Sequence, residues 1–207
     1  MPPKPPPLQY GRYYHIYNRG INRQNVFFED RNYRHFLKLY AKHFEPVADT
    51  YAYCLMCNHF HFLVRIKTVE EQCQTPGVSK TPGVWKAKKP SQQFGNVLNA
   101  YAKAINKAYN RTGSLFQNRF GRIEVTSDAY FIHLITYIHR NPQRHGFVAD
   151  FRDWPYSSYQ AMLSAKSSRV KRDEVLAWFD NATNFEASHQ HEADLQKIPH
   201  LIVDDFD

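Results

Sequence analysis

Apolar and polar residues alternate along the chain with two different periods, which predicts strands mixed with helices. Residues 13–18 are rich in aromatic and β-branched side chains, which is typical of a strand. Asp30 can cap a helix whose apolar positions then recur at steps of three and four. Residues 50–56 and 60–67 predict two further strands, joined by a tight turn at Cys57-Asn58. The beginning of the chain therefore predicts a β-α-β-β order.

The second half of the chain predicts more helix than strand. Ser91 can cap a long helix, and a short strand is expected at residues 122–126. Ser127 can cap another helix, which Pro142 is expected to stop because proline disfavours helical geometry in the residue before it. A last helix is predicted at residues 172–180.

This order of elements predicts an α+β fold in which a small antiparallel sheet of four or five strands is covered by helices. We expect a proline-rich, disordered start at residues 1–9 and a main domain at residues 10–165. Within that domain, residues 68–90 contain the sequence Thr-Pro-Gly-Val and its repeat, and they are expected to form a flexible insert. Residues 166–207 are expected to be a helical and acidic tail that wraps the sheet.

Composition adds a partner class to this outline. Hydrophobic residues make up 43% of the 207 residues and charged residues 22%, which excludes a disordered or a fibrous chain. The net charge of +8 favours a polyanionic partner, with nucleic acid as the first candidate and a basic surface for solubility as the alternative. Aromatic residues reach 15%, and they suit either stacking on unpaired bases or burial in the core.

Secretion and membrane insertion are not expected. The chain has no run of 18 apolar residues, and its proline-rich amino terminus lacks the apolar stretch of a signal peptide. Its three cysteines are an odd number, which fits a reducing compartment better than a disulfide framework. We therefore expect a cytoplasmic protein.

His59 and His61 are the first candidates for chemistry. Because side chains alternate along a strand, both imidazoles project from the face opposite Phe60 and Phe62. Two neighbouring imidazoles can bind one divalent ion, and the apolar opposite face of the strand favours this use over the alternative of an ordinary exposed strand face. A second His-x-His, at residues 189–191, lies in a polar segment without a strand pattern and is interpreted as chance.

Tyr137 and Asn141 lie one turn apart on the helix that begins after Ser127. A tyrosine becomes a useful nucleophile only beside a cation or a base that favours its phenolate. A carboxamide one turn away could complete a metal site. Spacing alone leaves a plainer alternative open, in which Tyr137 is an aromatic at the core edge and Asn141 a helix C-cap.

Four segments resemble a known family. They are CNHFHFLV at residues 57–64, GSLFQNRF at 113–120, YIHRNPQRHGFV at 137–148 and WPYSSY at 154–159. In this order they are similar to the successive signatures of the HUH single-tyrosine transposases, most of all the branch of REP-associated tyrosine transposases. The resemblance covers residues 10–159 and implies the ferredoxin-like or RRM-like HUH fold.

The resemblance implies roles for the four residues already singled out. His59 and His61 match the metal ligands of the HUH motif, Tyr137 matches the nucleophile, and Asn141 matches the carboxamide that completes the metal site. The implied cofactor is Mg²⁺ or Mn²⁺. The implied reaction cleaves single-stranded DNA through a 5′-phosphotyrosine intermediate and then transfers the strand.

The implied substrate is single-stranded DNA with a palindromic hairpin. Seven arginines are candidates for phosphate contacts: Arg19, Arg23, Arg111, Arg119, Arg122, Arg140 and Arg144. The sequence leaves open whether the chain is a monomer or a homodimer, whether Tyr137 acts in its own subunit, and whether the role is in a mobile element or in the host.

A zinc-stabilised nucleic-acid-binding module without catalysis is the alternative from a different class. Cys54, Cys57, His59 and His61 place four possible zinc ligands within eight residues. Strand geometry argues against this alternative, because Cys54 is expected to point away from the other three side chains. A replication or plasmid-nicking role would use the same HUH chemistry, but the sequence has no phosphate-binding Gly-x-x-x-x-Gly-Lys loop.

Overall fold

The structure is a computed structural model, and it describes residues 7–74 and 86–190. Four strands lie in these residues: β1 (Tyr13–Arg19), β2 (Ala48–Leu55), β3 (His59–Ile66) and β4 (Gly121–Val125). The same residues contain the helices α1 (Asp30–His43), α2 (Val69–Gln74), α3 (Pro90–Ala108), α4 (Asp128–Arg144), α5 (Tyr159–Leu163), α6 (Arg172–Trp178) and α7 (Ala182–Gln190). The predicted α+β class is confirmed.

The strands form one antiparallel sheet in the order β2-β3-β1-β4. β1 is a central strand, and its register pairs Ile16 with Phe62 and Tyr17 with His61. The aromatic and β-branched residues of β1 and β3 suit these central positions, where cross-strand side chains pack against one another.

Both faces of the sheet are covered. One face carries Ile16, Phe60 and Phe62, which pack with apolar residues of α1 and α3. The other face carries Leu63 and packs against α4 and the helices that follow it. The expectation of an exposed histidine face on β3 is therefore wrong, since α4 lays an apolar stripe over that face and removes it from water.

Two helices begin earlier than the sequence predicts, α1 by one residue and α3 by two. Glu29, rather than Asp30, is the N-cap of α1, because the Asn32 side chain accepts a hydrogen bond from the Glu29 backbone N–H at 3.2 Å. α3 begins at Pro90, whose fixed φ suits the first position of a helix. Ser91 is not a cap; its hydroxyl accepts a hydrogen bond from the Arg122 guanidinium instead.

α4 begins as predicted and ends later. The Ser127 hydroxyl accepts a hydrogen bond from the Tyr130 backbone N–H at 3.3 Å, which confirms the predicted cap. Pro142 lies inside the helix, which continues to Arg144. Proline removes one backbone hydrogen bond close to the helix end, where the loss costs least, so the predicted stop at Pro142 is wrong.

Both ends of the described chain pack against the rest of the fold. Leu8 is 7% exposed and belongs to the core that packs under α1 and α3, so residues 7–9 are not a disordered start. The cluster that contains the apolar residues of α4 also buries Val175 of α6, Phe179 directly after α6, and Phe185 of α7. The described carboxyl-terminal helices therefore pack on the α4 face of the sheet.

The predicted insert at residues 68–90 begins with a helix, since Val69–Gln74 forms α2. Both copies of Thr-Pro-Gly-Val lie outside the described residues. In the part of the chain that the structure describes, no helix combines the length and apolar character needed to cross a membrane.

Candidate active site

His59 and His61 lie side by side on β3, on the face that α4 covers. Their ring centres are 5.2 Å apart and the rings are nearly perpendicular, at 88°. The two residues are only 3% and 1% exposed. Burying two imidazoles in an apolar face costs free energy unless their nitrogens are hydrogen-bonded or bind a ligand. Each nitrogen therefore needs a hydrogen-bond partner or a ligand.

Each of these imidazoles has one nitrogen engaged within the protein. The Nδ1 atom of His61 lies 2.8 Å from Nε2 of His15, and Nδ1 of His59 lies 2.6 Å from the Asn58 side-chain oxygen. Nε2 of His61 is buried and has no hydrogen-bond partner among the described residues. Burial, and then the neighbouring imidazoles, hold the pKa of His61 well below its ordinary value, so the ring is neutral near pH 7. A neutral imidazole is the form that binds a metal ion.

α4 brings Tyr137 beside His61 and His145 beside His59, and Asn141 lies between these two residues on the same side of the helix. The Tyr137 ring lies edge-on to His61, with 5.6 Å between the ring centres, and 6.3 Å from the ring centre of His15. Tyr137 and Asn141 are both 0% exposed. Tyr137 is therefore in the core rather than at its edge, and the helix C-cap is His145 rather than Asn141.

The Asn141 carboxamide is an unusual group in this core. Neither its oxygen Oδ1 nor its nitrogen Nδ2 has a hydrogen-bond partner among the described residues, although both atoms are buried. A buried amide left unpaired costs about 1–3 kcal/mol. Such a group needs an explanation. A ligand bound in the native protein would explain both the unpaired carboxamide and the unpaired Nε2 of His61.

These residues fit a divalent cation. Two imidazoles and a carboxamide oxygen are acceptable ligands for Mn²⁺, and the oxygen also suits Mg²⁺. The set carries no negative charge, so a bound phosphate would have to complete the coordination. We therefore expect weak binding of the ion to the protein alone.

Zinc fits less well. Cys54 pairs with His61 in the sheet register and so lies on the same face, which corrects the expectation that it points away. Burial raises the pKa of both the Cys54 and the Cys57 thiols, whereas zinc binds thiolates. Among residues 7–74 and 86–190, no group of three or more histidine, cysteine, aspartate or glutamate side chains is arranged to bind a metal.

A pocket of about 120 Å³ opens beside the two histidines. Its lining includes Tyr17, Arg19 and Arg119 together with His59 and His61. Gly121 forms part of the wall, and a Cβ atom at this position would lie 2.2 Å from the Tyr17 ring. Tyr137 and Asn141 are not among the residues that line this pocket.

The seven candidate arginines lie in different parts of the fold. Arg19 and Arg119 line the pocket, and the guanidinium carbon of Arg144 is 5.1 Å from the centre of the Tyr137 ring. Arg23 is exposed in the turn after β1, and Arg111 lies over the Phe28 ring at 6.0 Å.

Arg122 and Arg140 are not brought to the pocket. Arg122 donates to the Ser91 hydroxyl and lies over Phe120, on the opposite face of the sheet. Arg140 donates to the His189 backbone oxygen and so joins α4 to α7. Both guanidinium groups are used within the fold.

Sequence reasoning missed three histidines. His15 contacts His61, and the ring centre of His145 lies 4.8 Å from that of His59. His189 was interpreted as chance, yet it is fully buried and Nε2 lies 2.9 Å from Nδ1 of His139. Alternation along β1 places His15 on one face, but only the pairing of β1 with β3 shows which residue it meets.

The chain is similar to known proteins in sequence and in fold. No protein-family model matches the chain. It is 26% identical over 119 residues to a Haemophilus influenzae protein described as a "Putative REP-associated tyrosine transposase". This match covers 57% of the chain and 62% of the relative, so the chain spans less than two thirds of that protein's length.

The fold also matches a solved structure. A REP-associated tyrosine transposase bound to a REP hairpin superposes with a TM-score of 0.57, over 80% of this chain and 87% of that one. Sequence identity in this match is 15%, so the likeness concerns the fold. The resemblance predicted from four sequence motifs is confirmed by a named homologue and by a shared fold.

Proposed function

We propose that this chain, which is similar to a REP-associated tyrosine transposase, cleaves and transfers single-stranded DNA with Tyr137 as its nucleophile. The observation that carries the proposal is the convergence of one phenol, two imidazoles and one unpartnered carboxamide on one buried site. A structural role alone would not require His61 Nε2 and the Asn141 amide to remain unpaired.

His59, His61 and Asn141 would hold Mg²⁺ or Mn²⁺ through the two Nε2 atoms and the carboxamide oxygen. The contact of His59 Nδ1 with Asn58 and of His61 Nδ1 with His15 directs both Nε2 atoms to this use. When bound, the ion supplies Lewis-acid polarisation of the scissile phosphate and offsets its developing negative charge.

Tyr137 would attack the phosphorus atom once its hydroxyl has lost a proton. The new bond joins the phenolic oxygen to the 5′-phosphate, the bond from phosphorus to the 3′-oxygen breaks, and that oxygen takes up a proton. The energy of the cleaved bond is kept in the phosphotyrosine, so a later 3′-hydroxyl can reverse the step without ATP. The Arg144 guanidinium, 5.1 Å from the Tyr137 ring centre, favours the phenolate by its positive charge.

Catalysis would require α4 to move. Tyr137 is 0% exposed and does not line the pocket that reaches the imidazoles. A DNA phosphate bound at the histidines can meet the phenol only after the carboxyl-terminal half of α4 shifts or the Tyr137 side chain rotates. Because Tyr137 and His61 are neighbours in one chain, we propose that the tyrosine acts in its own subunit.

The proposed partner is single-stranded DNA with a hairpin, as in the solved neighbour that is bound to a REP hairpin. The net charge of +8 favours such a polyanion. Arg19 and Arg119 flank the histidines in the pocket, where they would contact the phosphate next to the cleaved bond. Arg23 and Arg111 would contact phosphates farther away.

The test is a covalent adduct with labelled single-stranded hairpin DNA in the presence of Mn²⁺. We expect wild-type protein to form an adduct that is stable in denaturing electrophoresis, and Tyr137→Phe to form none. Tyr130→Phe is the matched control, because Tyr130 lies on the same helix, is 9% exposed and has a hydroxyl with no hydrogen-bond partner among the described residues. It should form adduct at the wild-type rate.

Two results would reject this function. An adduct of undiminished yield in Tyr137→Phe would show that another residue is the nucleophile. Equal losses in Tyr137→Phe and Tyr130→Phe would show that removing a hydroxyl from α4 disturbs the fold rather than the chemistry.

A further inference from the structure

His15 lies at the centre of the sheet, on β1, and is 1% exposed. Its Nε2 atom is 2.8 Å from Nδ1 of His61, and the two rings are nearly parallel, with 5.0 Å between their centres. No sequence motif pointed to this residue. It nevertheless shares a hydrogen bond with Nδ1 of His61, while Nε2 of His61 is the nitrogen proposed to bind the metal ion.

We infer that His15 is a positioning residue, which accepts the Nδ1 proton of His61 and so holds His61 in the tautomer that presents Nε2 to the metal. This inference rests on the proposed function, because the metal is part of it. A neutral imidazole carries one proton, so whichever nitrogen holds it cannot bind a metal. The direction of the hydrogen bond between His15 and His61 therefore decides whether the site can be filled.

Metal binding at Nε2 of His61 requires one direction of this hydrogen bond. If Nε2 carried the proton, it would be a buried donor with no acceptor among the described residues. In the opposite direction His15 carries its proton on its own Nδ1, which is buried as well, so burial alone does not decide the direction. Metal binding decides it, because only a lone pair on Nε2 of His61 can bind the ion. With the proton on Nδ1, the donor is satisfied by His15 at 2.8 Å and the lone pair of Nε2 faces the site.

His15 also fixes the orientation of the ring. In the sheet register His15 pairs with Leu63 and His61 pairs with Tyr17, so the two histidines are diagonal neighbours across β1 and β3. The Tyr137 ring packs edge-on against both, at 84° to His15 and 83° to His61. His15 thus contacts both a proposed metal ligand and the proposed nucleophile.

The test compares two variants of His15. His15→Phe keeps a planar ring and removes the acceptor, whereas His15→Gln places a carboxamide oxygen near the position of Nε2. Loss of such an outer hydrogen bond typically costs about 10–100-fold in metal affinity. We expect that loss in His15→Phe when Mn²⁺ binding is measured by calorimetry without DNA, and recovery to within about 3-fold of wild type in His15→Gln.

A second readout needs no metal. Long-range proton–nitrogen NMR spectra of the metal-free protein distinguish the two tautomers of His61. We expect the Nδ1–H form in wild type and in His15→Gln, and a shift towards the Nε2–H form in His15→Phe. His15→Leu is a second variant without an acceptor, in case the phenyl ring does not fit the core.

The matched control is His139→Phe. His139 is also fully buried and also shares a hydrogen bond with a second imidazole, at 2.9 Å, but it lies away from the pocket. Its replacement should lower the free energy of unfolding and leave Mn²⁺ affinity unchanged. Circular dichroism shows whether each variant is folded.

Unchanged Mn²⁺ affinity in the folded acceptor-free variants would overturn the inference, and so would equal losses in His15→Phe and His15→Gln. Failure of the proposed function would give a different result in these measurements. In that case wild-type protein would bind no Mn²⁺, while the NMR tautomer of His61 in wild type and His15→Phe would still show whether His15 accepts its proton.

Discussion

The Tyr137 ring stands edge-on to the His61 ring at 83°, with 5.6 Å between the ring centres, although one residue lies on a late helix and the other on an early strand. Packing of α4 over the sheet brings them together, because Leu134 and Ile138 of α4 are buried in the same cluster as Leu63 of β3. The candidate site is therefore part of the hydrophobic core. Changes to its polar groups will affect stability and chemistry in ways that can be separated.

Asn141→Leu should raise stability and lower metal affinity. Leucine has nearly the shape of asparagine, and it removes a carboxamide whose oxygen and nitrogen are both buried without a hydrogen-bond partner among the described residues. We expect the free energy of unfolding of the metal-free protein to rise by about 1 kcal/mol. We expect Mn²⁺ affinity to fall about 10-fold or more, as measured by calorimetry.

Asn32→Leu provides the contrast for this prediction. Asn32 is also buried, but its side-chain oxygen accepts hydrogen bonds from the backbone N–H groups of Phe28 and Glu29. Its replacement should lower stability by about 1–3 kcal/mol without changing Mn²⁺ affinity. If Asn141→Leu is destabilised like Asn32→Leu, Asn141 has a partner in the native protein other than a metal.

Arg144→Gln should slow formation of the DNA adduct, and the defect should depend on pH. The guanidinium carbon lies 5.1 Å from the centre of the Tyr137 ring, so its positive charge favours the phenolate. We expect a rate about 10-fold lower near neutral pH, because a desolvated charge of this kind contributes about 1–2 kcal/mol. The defect should narrow as the pH rises, since hydroxide then ionises the phenol without help.

Arg144→Lys is the control for charge. It keeps the positive charge and should retain most of the rate, although it cannot lie flat on the ring as a guanidinium does. Single-turnover rates over a range of pH values measure both variants. A defect in Arg144→Gln that is the same at every pH would assign Arg144 to DNA binding instead.

The sequence predicts the fold class and the four proposed site residues because both depend on local patterns. Alternation in residues 60–67 puts His59 and His61 on one face, and helical spacing puts Tyr137 and Asn141 one turn apart. The approach of Tyr137 to His61 could be expected only from the resemblance to transposases. No pattern along one strand or one helix specifies which face of the sheet a helix covers.

What the sequence could not show depends on long-range pairing. His15 meets His61 because β1 lies beside β3 in the sheet, and Cys54 shares a face with His61 because β2 pairs with β3 in the observed register. His189 is in a segment with weak periodicity, and its role follows from the burial of α7 against α4. Predicting these contacts requires the sheet order and register, which spacing within one segment does not contain.

Arg119 and Arg122 should differ in how they affect the salt dependence of DNA binding. Arg119 is exposed and lines the pocket beside the histidines, whereas Arg122 is held by Ser91 on the other face of the sheet. Arg119→Gln should reduce the slope of log Kd against log salt by about 0.7–1, the value for one phosphate contact. Arg122→Gln should leave that slope unchanged. Equal changes in both variants, measured by fluorescence anisotropy, would contradict this assignment.

Acid should destabilise the protein through the His139–His189 pair. Burial lowers the pKa of His189 to about 4 and holds the pKa of His139 well below its ordinary value. Above about pH 6.5 these rings are neutral in both the folded and the unfolded states, so they add no pH dependence. Below it the unfolded chain binds protons that the folded chain does not, and stability falls as the pH falls. His189 alone should account for roughly 3 kcal/mol between about pH 6.5 and pH 4.

His189→Leu tests this linkage in urea unfolding at about pH 7.5 and about pH 5. At the higher pH the variant should be less stable than wild type by about 1–3 kcal/mol, because Nδ1 of His139 loses its partner. Between the two pH values it should lose less stability than wild type, since one proton-binding difference is gone. Val175→Ala destabilises the same cluster without removing a titratable group, so it should lose stability in parallel with wild type. A drop in His189→Leu as steep as that of Val175→Ala would assign the acid sensitivity to other histidines.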